Sequence, residues 1–194
     1  MPNPLLHLYL NRYPEILIAG LFKVYMNIIL IGFMGVGKTE TGKLLAKKLK
    51  MTYIDTDAII ENEQGMTIND IFAKKGEENF RDMETKLVGK LAKINGHVVA
   101  TGGGMILRPD NVKKLKGMGP LVLLWADPDT VFKRVKETGT RPLLNVSDQK
   151  AKIKEILEFR APIYKGIADL EVDTSLLSPE EASNRIIKFV KEGK

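Results

Sequence analysis

The sequence predicts an α/β fold in which helices cover both faces of a parallel β-sheet. Short apolar runs alternate with amphipathic, helix-like stretches from residue 26 onward, and this alternation is typical of parallel sheets. The chain has 194 residues, of which 44% are hydrophobic, so it can bury the core of one domain without disulfides. The predicted strands lie near residues 27–31, 53–55, 97–101, 120–125 and 169–173.

The first predicted strand leads directly into a glycine-rich loop at residues 32–39, Gly-Phe-Met-Gly-Val-Gly-Lys-Thr. It fits the pattern GxxxxGK followed by Ser or Thr, in which backbone N–H groups surround phosphate oxygens, the lysine reaches the β and γ phosphates and the hydroxyl binds Mg²⁺. A loop without a ligand is the alternative, but the preceding strand and a helix predicted at 41–50 favour phosphate binding. We therefore expect a nucleoside triphosphate to contact Gly35, Val36, Gly37, Lys38, Thr39 and Glu40.

The second predicted strand is followed by two carboxylates, Asp55 and Asp57. In an extended segment, side chains two residues apart point to the same face. One carboxylate would then serve Mg²⁺ and the other an acceptor hydroxyl. The alternative for Asp57 is a structural role as the cap of a helix that begins near Ala58.

The third predicted strand ends in Thr101-Gly102-Gly103-Gly104. Three consecutive glycines lose much backbone entropy on folding, and a simple turn does not need them. Close approach of the backbone to a ligand is the sharper explanation, and escape of the loop from a crowded sheet edge is the other. Ligands of open parallel sheets bind beyond the carboxyl ends of the strands, so this loop is a candidate part of the site.

Helix caps are readable around the last two strands. Asp127 and Pro128 precede a helix predicted at 131–137, and Ser178 and Pro179 precede the last helix. In both places a capping residue is followed by proline at the first helical position.

Three arginines, Arg81, Arg141 and Arg160, add capacity to bind anions. A guanidinium fork matches two oxygens of a carboxylate or phosphate at once, which lysine cannot do. Taken singly, each would be an ordinary surface residue or ion-pair partner.

The composition excludes several kinds of site and partner. There is no cysteine, so neither a disulfide nor a thiolate metal site can form, as is common in the cytoplasm. The net charge is +6, but the lysines are spread along helical stretches and no aromatic-basic platform for nucleic acid is present. We expect a cytoplasmic monomer with neither a nucleic acid nor a membrane as partner.

Residues 1–25 differ from the rest of the chain. Their apolar runs at 5–10 and 16–22 are too short to span a bilayer, and the charged start of a secretory peptide is missing. An over-extended start codon would explain the segment, because Met26 stands directly before the first strand. A short helix packed on the surface or on a partner is the alternative. We predict an extension at 1–25 and the folded domain at 26–194.

Six motifs resemble those of the shikimate kinase family in order and approximate spacing, over essentially the whole stretch from residue 26 to 194. The resemblance implies a P-loop kinase fold of three layers, with a five-stranded parallel sheet of order 2-3-1-4-5 and a mobile lid at about 138–148. It also implies phosphoryl transfer from ATP, with Mg²⁺, to the 3-hydroxyl of shikimate. The motifs are Gly-Phe-Met-Gly-Val-Gly-Lys-Thr, Asp-Thr-Asp, Gly-Glu-Glu-Asn-Phe-Arg, Thr-Gly-Gly-Gly, Thr-Arg-Pro-Leu-Leu and Arg-Ala-Pro-Ile-Tyr.

The resemblance assigns roles to individual residues. Lys38 and Arg141 would face the transferring phosphate, with Asp57 as the third catalytic residue. Thr39 would be a direct Mg²⁺ ligand and Asp55 a water-mediated one. Two arginines would hold the substrate carboxylate within a shikimate site formed by Asp57, Arg81, Gly102, Gly103, Gly104 and Arg160.

Three further residues follow from the same resemblance. Arg134 would stack on adenine, and Glu84 would orient Arg81 from one turn away on the same predicted helix. Glu40 departs from the family pattern, which has Ser or Thr at that place. We expect its carboxylate to face solvent, because phosphate would repel it.

Two other functions stay open at this point. A kinase for another small hydroxy acid, such as gluconate, would keep the loop and the Mg²⁺ ligands, but not the combination of Asp57, Arg81, the glycine triplet and Arg160. A nucleotide-dependent regulatory module would have lost the lid arginine or the acceptor carboxylate, and this chain has both.

Overall fold

The computed structural model describes residues 26–138, 142–144 and 146–192. Within them the predicted sheet is confirmed, since five parallel strands pair in the order β2-β3-β1-β4-β5. The predicted extension at 1–25, Arg141 and part of the predicted lid lie outside the described residues. The strands are β1 (Ile28–Ile31), β2 (Thr52–Asp55), β3 (His97–Ala100), β4 (Leu121–Trp125) and β5 (Leu170–Asp173).

Helices follow the strands on both faces of the sheet. Two 3₁₀ turns, Met105–Leu107 and Pro142–Leu144, add short connections. No helix in the described ranges combines the length and apolarity that crossing a bilayer requires. The helices of these ranges are α1 (Lys38–Leu49), α2 (Thr56–Gln64), α3 (Ile68–Leu91), α4 (Pro109–Met118), α5 (Pro128–Thr138), α6 (Gln149–Ile167) and α7 (Pro179–Glu192).

The central strand β1 is buried on both faces. Ile28 and Leu30 pack into the core on one side of the sheet, and Ile29 and Ile31 pack into the core on the other. Because side chains alternate along a strand, burial on both sides explains why β1 is apolar throughout. Its neighbours are β3 and β4, so the loop that leaves β1 starts from the middle of the carboxyl edge of the sheet.

Two helix caps agree with the prediction. Asp127 accepts hydrogen bonds from the backbone N–H groups of Asp129 (3.0 Å) and Thr130 (2.9 Å), and α5 begins at Pro128. The hydroxyl of Ser178 accepts from the N–H of Glu181 at 3.2 Å, directly before α7. Proline fits the first turn of a helix because its missing N–H has no partner there.

The start of α1 corrects one boundary. The sequence predicts a helix from residue 41, whereas α1 begins at Lys38. The cap residue, Gly37, has a φ of 86°, which glycine adopts without the strain that a Cβ would introduce. The glycine-rich loop therefore turns directly into the helix, and its last two residues belong to the first helical turn.

The segment from Asp55 to Asp57 corrects a second prediction. It is not extended, because β2 ends at Asp55 and α2 begins at Thr56. The cap of α2 is Asp55, whose side chain accepts from the N–H groups of Asp57 (3.0 Å) and Ala58 (3.4 Å). The capping role considered for Asp57 therefore belongs to its neighbour.

Candidate active site

The glycine-rich loop carries the predicted phosphate site in a closely packed backbone. A Cβ on Gly32 would lie 2.2 Å from the carbonyl oxygen of Leu124 in β4, so only glycine fits at the point where the loop leaves β1. The side chain of Val36 is fully buried in the core, which leaves its backbone for ligand contacts. One side of the loop is therefore packed against the core, and the other side lines a cavity.

Lys38 lies folded over this loop. Its ammonium group donates to the carbonyl oxygens of Gly32 (2.8 Å) and Phe33 (2.7 Å). Thr39 and Glu40 occupy the first turn of α1 and are exposed. The expected contact of Glu40 with solvent agrees with this exposure, but the residue also lines the cavity. A carboxylate in the first turn interacts favourably with the helix dipole.

Asp55 lies at the end of β2, in the wall of the same cavity as Thr39. One of its oxygens caps α2, and the other accepts from the hydroxyl of Tyr53 at 3.1 Å. Burial first, and then the negative charge of Asp55, raise the pKa of Tyr53 well above its ordinary value. The phenol therefore stays protonated and donates to Asp55. In the described ranges, no group of three or more His, Cys, Asp or Glu side chains gathers as a metal cluster.

Arg81 lies in α3 with its side chain 8% exposed. Its guanidinium donates from Nη1 to Glu84 and from Nη2 to Glu77, at 2.7 Å in each case. The rings of Phe72 and Phe80 pack 6.0 Å and 5.4 Å from its Cζ atom. Burial opposes the charge, but the two carboxylates outweigh it and raise the pKa of Arg81. The predicted contact between Glu84 and Arg81 is confirmed.

Glu84 is fully buried and lies between Arg81 and Asp57. Its Oε2 accepts from Arg81, while its Oε1 accepts no hydrogen bond. Burial raises the pKa of Glu84 to about 7, against the opposing effect of Arg81, and the nearby carboxylate of Asp57 adds to the rise. A buried carboxylate with one unpartnered oxygen is costly, so the position is one where a ligand group can supply a missing contact.

Two glycines of the triplet, Gly102 and Gly104, are required by the side chains that pack on them. A Cβ on Gly102 would lie 2.6 Å from Asp57 Oδ1 and 2.7 Å from Glu84 Oε1, and one on Gly104 would lie 2.2 Å from Arg81 Nη1. The sequence suggested that these glycines admit a ligand. The structure adds a second reason, because Asp57, Glu84 and Arg81 reach their positions only if no Cβ is present.

Arg160 approaches the triplet from α6. Its Nη1 donates to the carbonyl oxygen of Gly103 at 3.1 Å, and the buried hydroxyl of Tyr164 donates to the same oxygen at 2.5 Å. Burial raises the pKa of Tyr164 to about 12, although the charge of Arg160 lowers it. Tyr164 therefore remains a hydrogen-bond donor at neutral pH and fixes Gly103 beside Arg160.

Arg134 in α5 connects the glycine-rich loop to the end of β5. Its guanidinium donates to the carbonyl oxygen of Gly35 (3.3 Å), to the hydroxyl of Thr174 (3.2 Å) and to the carbonyl oxygen of Thr174 (2.7 Å). The Thr174 hydroxyl in turn donates toward the carbonyl oxygens of Val36 and Trp125. These bonds hold the plane of Arg134 in place at the loop.

These groups line one cavity of about 670 Å³. Among the predicted site residues in the described part of the chain, only Val36 is not in the cavity wall. The side chains of Arg81 and Arg160 therefore lie in the same space as the glycine-rich loop. Those that line it are Gly35, Gly37, Lys38, Thr39, Glu40, Asp55, Asp57, Arg81, Gly102, Gly103, Gly104, Arg134 and Arg160.

Sequence reasoning missed three residues that contact the predicted site residues. Tyr164 stands four residues after Arg160, and Glu77 stands four residues before Arg81, so helical spacing could have pointed to both. Thr174 carries no local signal, because its partners Val36 and Trp125 are 138 and 49 residues away along the chain.

The comparison with protein families gives one match over most of the chain. The family described as shikimate kinase matches residues 34–191. A shikimate kinase of Thermodesulfovibrio yellowstonii is 47% identical over 162 residues, which cover 84% of this chain and 93% of that protein. One from Pelotomaculum thermopropionicum is 48% identical over 166 residues, with 86% and 96% coverage.

Solved structures give the same grouping. The shikimate kinase from Acinetobacter baumannii in complex with shikimate has a TM-score of 0.85 and 34% identity, and the match covers 89% of this chain and 97% of that one. A gluconokinase from Sinorhizobium meliloti has a TM-score of 0.57 at 17% identity, covering 88% and 94%. The second likeness shows a shared fold alone.

Proposed function

The chain belongs to the shikimate kinase family, and from this premise we propose that it transfers the γ-phosphoryl group of ATP to the 3-hydroxyl of shikimate. The products are shikimate 3-phosphate and ADP. The single observation that carries the proposal is the shared cavity, in which the glycine-rich loop and the guanidinium groups of Arg81 and Arg160 line one space. The polyphosphate would occupy the part of the cavity beside the loop, and the small carboxylated alcohol would occupy the part beside the two arginines.

The nucleotide half is formed by the loop and by α5. Backbone N–H groups from Gly35 to Glu40 surround the phosphates at the start of α1, where the helix dipole favours negative charge. Lys38 exchanges its two carbonyl partners for phosphate oxygens when ATP binds. Arg134 presents the face of its guanidinium to adenine, and Arg141, which is outside the described residues, would face the transferring phosphate.

The acceptor half is formed by α2, α3, α6 and the glycine triplet. Arg81 and Arg160 bind the carboxylate of shikimate, because two buried guanidinium groups can neutralise and orient it. Asp57 accepts hydrogen bonds from ring hydroxyls, and the loop Gly102–Gly104 supplies a surface without side chains. The gluconate alternative has no comparable support, since that likeness concerns the fold.

Magnesium suits two oxygen ligands, one from Thr39 at the start of α1 and one from Asp55 at the end of β2. The hydroxyl of Thr39 and the carboxylate of Asp55 both line the cavity, and Mg²⁺ in kinase sites takes one or two such protein ligands, with phosphate oxygens and water completing the shell. Thr39 would bind directly and Asp55 through water. The ion supplies positive charge that offsets the charge of the phosphates.

In the reaction, the protein contributes mainly positioning and charge. Asp57 orients the 3-hydroxyl and accepts its proton while the oxygen of shikimate forms a bond to the γ-phosphorus. The bond between that phosphorus and the oxygen of ADP breaks in line. Lys38 and Arg141 offset the charge on the transferring oxygens, and closure of the lid at 138–148 excludes water as a competing acceptor.

A coupled assay for ADP release tests this function. We expect turnover of ATP that depends on shikimate, with gluconate giving no stimulation. ADP release that ignores shikimate but responds to gluconate would identify a different kinase. Absence of turnover with either acceptor would leave a nucleotide-binding module.

The proposal includes the assembly, the compartment and the domain boundaries. The enzyme acts as a cytoplasmic monomer, without nucleic acid or membrane partner, and residues 1–25 form an extension to a catalytic domain at 26–194. Size-exclusion chromatography with light scattering tests the monomer. Mass spectrometry of the intact native protein tests the extension, because a start at Met26 would remove it.

A further inference from the structure

Arg81 is paired with two carboxylates that differ in their surroundings. Glu84, on Nη1, is fully buried and cannot leave. Glu77, on Nη2, has a side chain that is 48% exposed, and it is absent from the wall of the cavity. Arg81 is the guanidinium that is expected to bind a substrate anion. It is therefore already paired with a second, solvent-accessible carboxylate that lies outside the cavity wall.

Arg81 has several contacts besides Glu77 that orient its side chain. The side chain of Arg81 is fixed by Glu84 at 2.7 Å, by the rings of Phe72 and Phe80, and by the backbone of Gly104. What Glu77 adds to this arrangement is a negative charge 2.7 Å from the guanidinium.

From this geometry we infer that Glu77 is an affinity-determining residue, whose negative charge weakens binding of the substrate carboxylate by Arg81. The inference rests on the proposed function and deepens it. The carboxylate also remains on the product, which gains a phosphate, so a less positive Arg81 also favours product release. Weaker uniform binding of substrate and product raises KM without lowering turnover.

The test compares two neighbouring glutamates in the purified full-length enzyme. Glu77→Gln removes the charge and keeps an oxygen that can accept from Arg81. Glu78→Gln removes one charge from the adjacent position, where the carboxylate pairs with Arg108 instead. Kd for shikimate by calorimetry, and KM and kcat from ADP release, are measured for both variants and the wild type.

We expect Glu77→Gln to bind shikimate about three- to tenfold more tightly, as removal of one partly screened charge a few ångströms from the bound anion predicts. KM for shikimate falls in parallel, kcat stays equal or falls through slower product release, and Glu78→Gln matches the wild type. With shikimate methyl ester, which lacks the negative charge, Glu77→Gln and wild type bind equally. The ratio of the Kd for shikimate to the Kd for its methyl ester is measured within one variant. This ratio therefore does not depend on the fraction of protein that is folded.

Weaker binding of shikimate by Glu77→Gln would overturn the inference and make Glu77 a positioning residue for Arg81. Unchanged binding would make it an ordinary surface ion pair. Equally tighter binding of shikimate and of its methyl ester by Glu77→Gln would exclude the charge of Glu77 as the cause. Failure of the proposed function is distinguishable from all three, because the wild type would then show no shikimate-dependent ADP release.

Discussion

Among single residues, Asp57 has the most direct chemical task in the proposed reaction. It lies in the first turn of α2 and lines the cavity, and its neighbour Asp55 does the capping. The backbone therefore does not use the Asp57 carboxylate as the cap of α2.

Replacing Asp57 with Asn should lower kcat by at least about 10²-fold, because general base catalysis usually contributes that much or more. Binding of ADP should stay within about twofold, since the glycine-rich loop is unchanged. Steady-state ADP release and calorimetric titration with ADP measure the two effects. Asp110→Asn, at an exposed position in α4, is the control for loss of one carboxylate. Full activity in Asp57→Asn would remove Asp57 from the mechanism.

Glu84 makes stability depend on pH. Its pKa is about 7 in the folded protein, against an ordinary value of 4.5, so the folded state binds more protons than the unfolded state between these values. The contribution of Glu84 to stability is fully present below pH 4.5 and is lost as pH rises through 7.

Comparison of wild type with Glu84→Gln isolates this effect. The variant has no titrating group at the site, so its free energy of unfolding should rise relative to wild type between pH 5 and pH 7 and level off above that. Urea denaturation at four pH values from 5 to 8 measures the difference. A constant offset across this range would contradict the raised pKa.

At the scale of elements, α3 contains a break that local sequence rules did not identify. Gly76 has φ 81° and ψ 165° inside the helix, a region of backbone space that is essentially restricted to glycine. The break lies directly before Glu77 and divides the helix into a part that carries Phe72 and a part that carries Phe80 and Arg81. It thereby allows one helix to bring groups to the guanidinium from two sides.

Two alanine substitutions in α3 should have opposite effects. Gly76→Ala should destabilise the protein by about 1–3 kcal/mol, because the backbone there is strained for any residue with a Cβ. Gly89→Ala should stabilise it by about 0.5–1 kcal/mol, the usual gain inside a helix. A Cβ meets nothing within 4 Å at either site, so backbone conformation alone separates them. Thermal and urea unfolding measure both, and equal stability of Gly76→Ala and wild type would show that α3 can straighten.

At the scale of the whole molecule, Thr174 ties three distant parts of the chain together. It follows β5, is 4% exposed, and its hydroxyl lies 2.9 Å from the carbonyl oxygen of Val36 and 3.0 Å from that of Trp125. Arg134 in α5 donates to it as well. This hydroxyl therefore links the glycine-rich loop to the ends of β4 and β5.

Thr174→Val should destabilise the protein by about 1–3 kcal/mol, the typical cost of leaving a buried polar partner unsatisfied. KM for ATP should rise more than KM for shikimate, because the loop and Arg134 belong to the nucleotide half. Thr174→Ser keeps the hydroxyl and should restore KM for ATP. Urea denaturation and steady-state kinetics provide both readouts. Equal rises in the two KM values would place the effect in the fold as a whole.

Across these scales, features encoded in neighbouring residues were predictable, and features encoded by packing were not. The apolar runs located all five strands to within a residue or two, and Asp127 and Ser178 marked their helix caps. The segment Asp55 to Asp57 was assigned wrongly as extended, because a cap and a strand end share the same local pattern. Arg81 and Glu84 were linked in advance by helical spacing, whereas nothing local linked Gly104 to Arg81.

The order of residues was enough to define the parallel sheet, the glycine-rich loop and the residue types of the site, because side-chain periodicity and backbone sterics act over a few residues. Packing between distant elements settled which carboxylate caps α2, why Gly102 and Gly104 must adjoin Asp57, Glu84 and Arg81, and how Glu77, Tyr164 and Thr174 contact the site. Those outcomes depend on distances between elements that are far apart in the chain, and such distances are fixed by how the helices pack on the sheet.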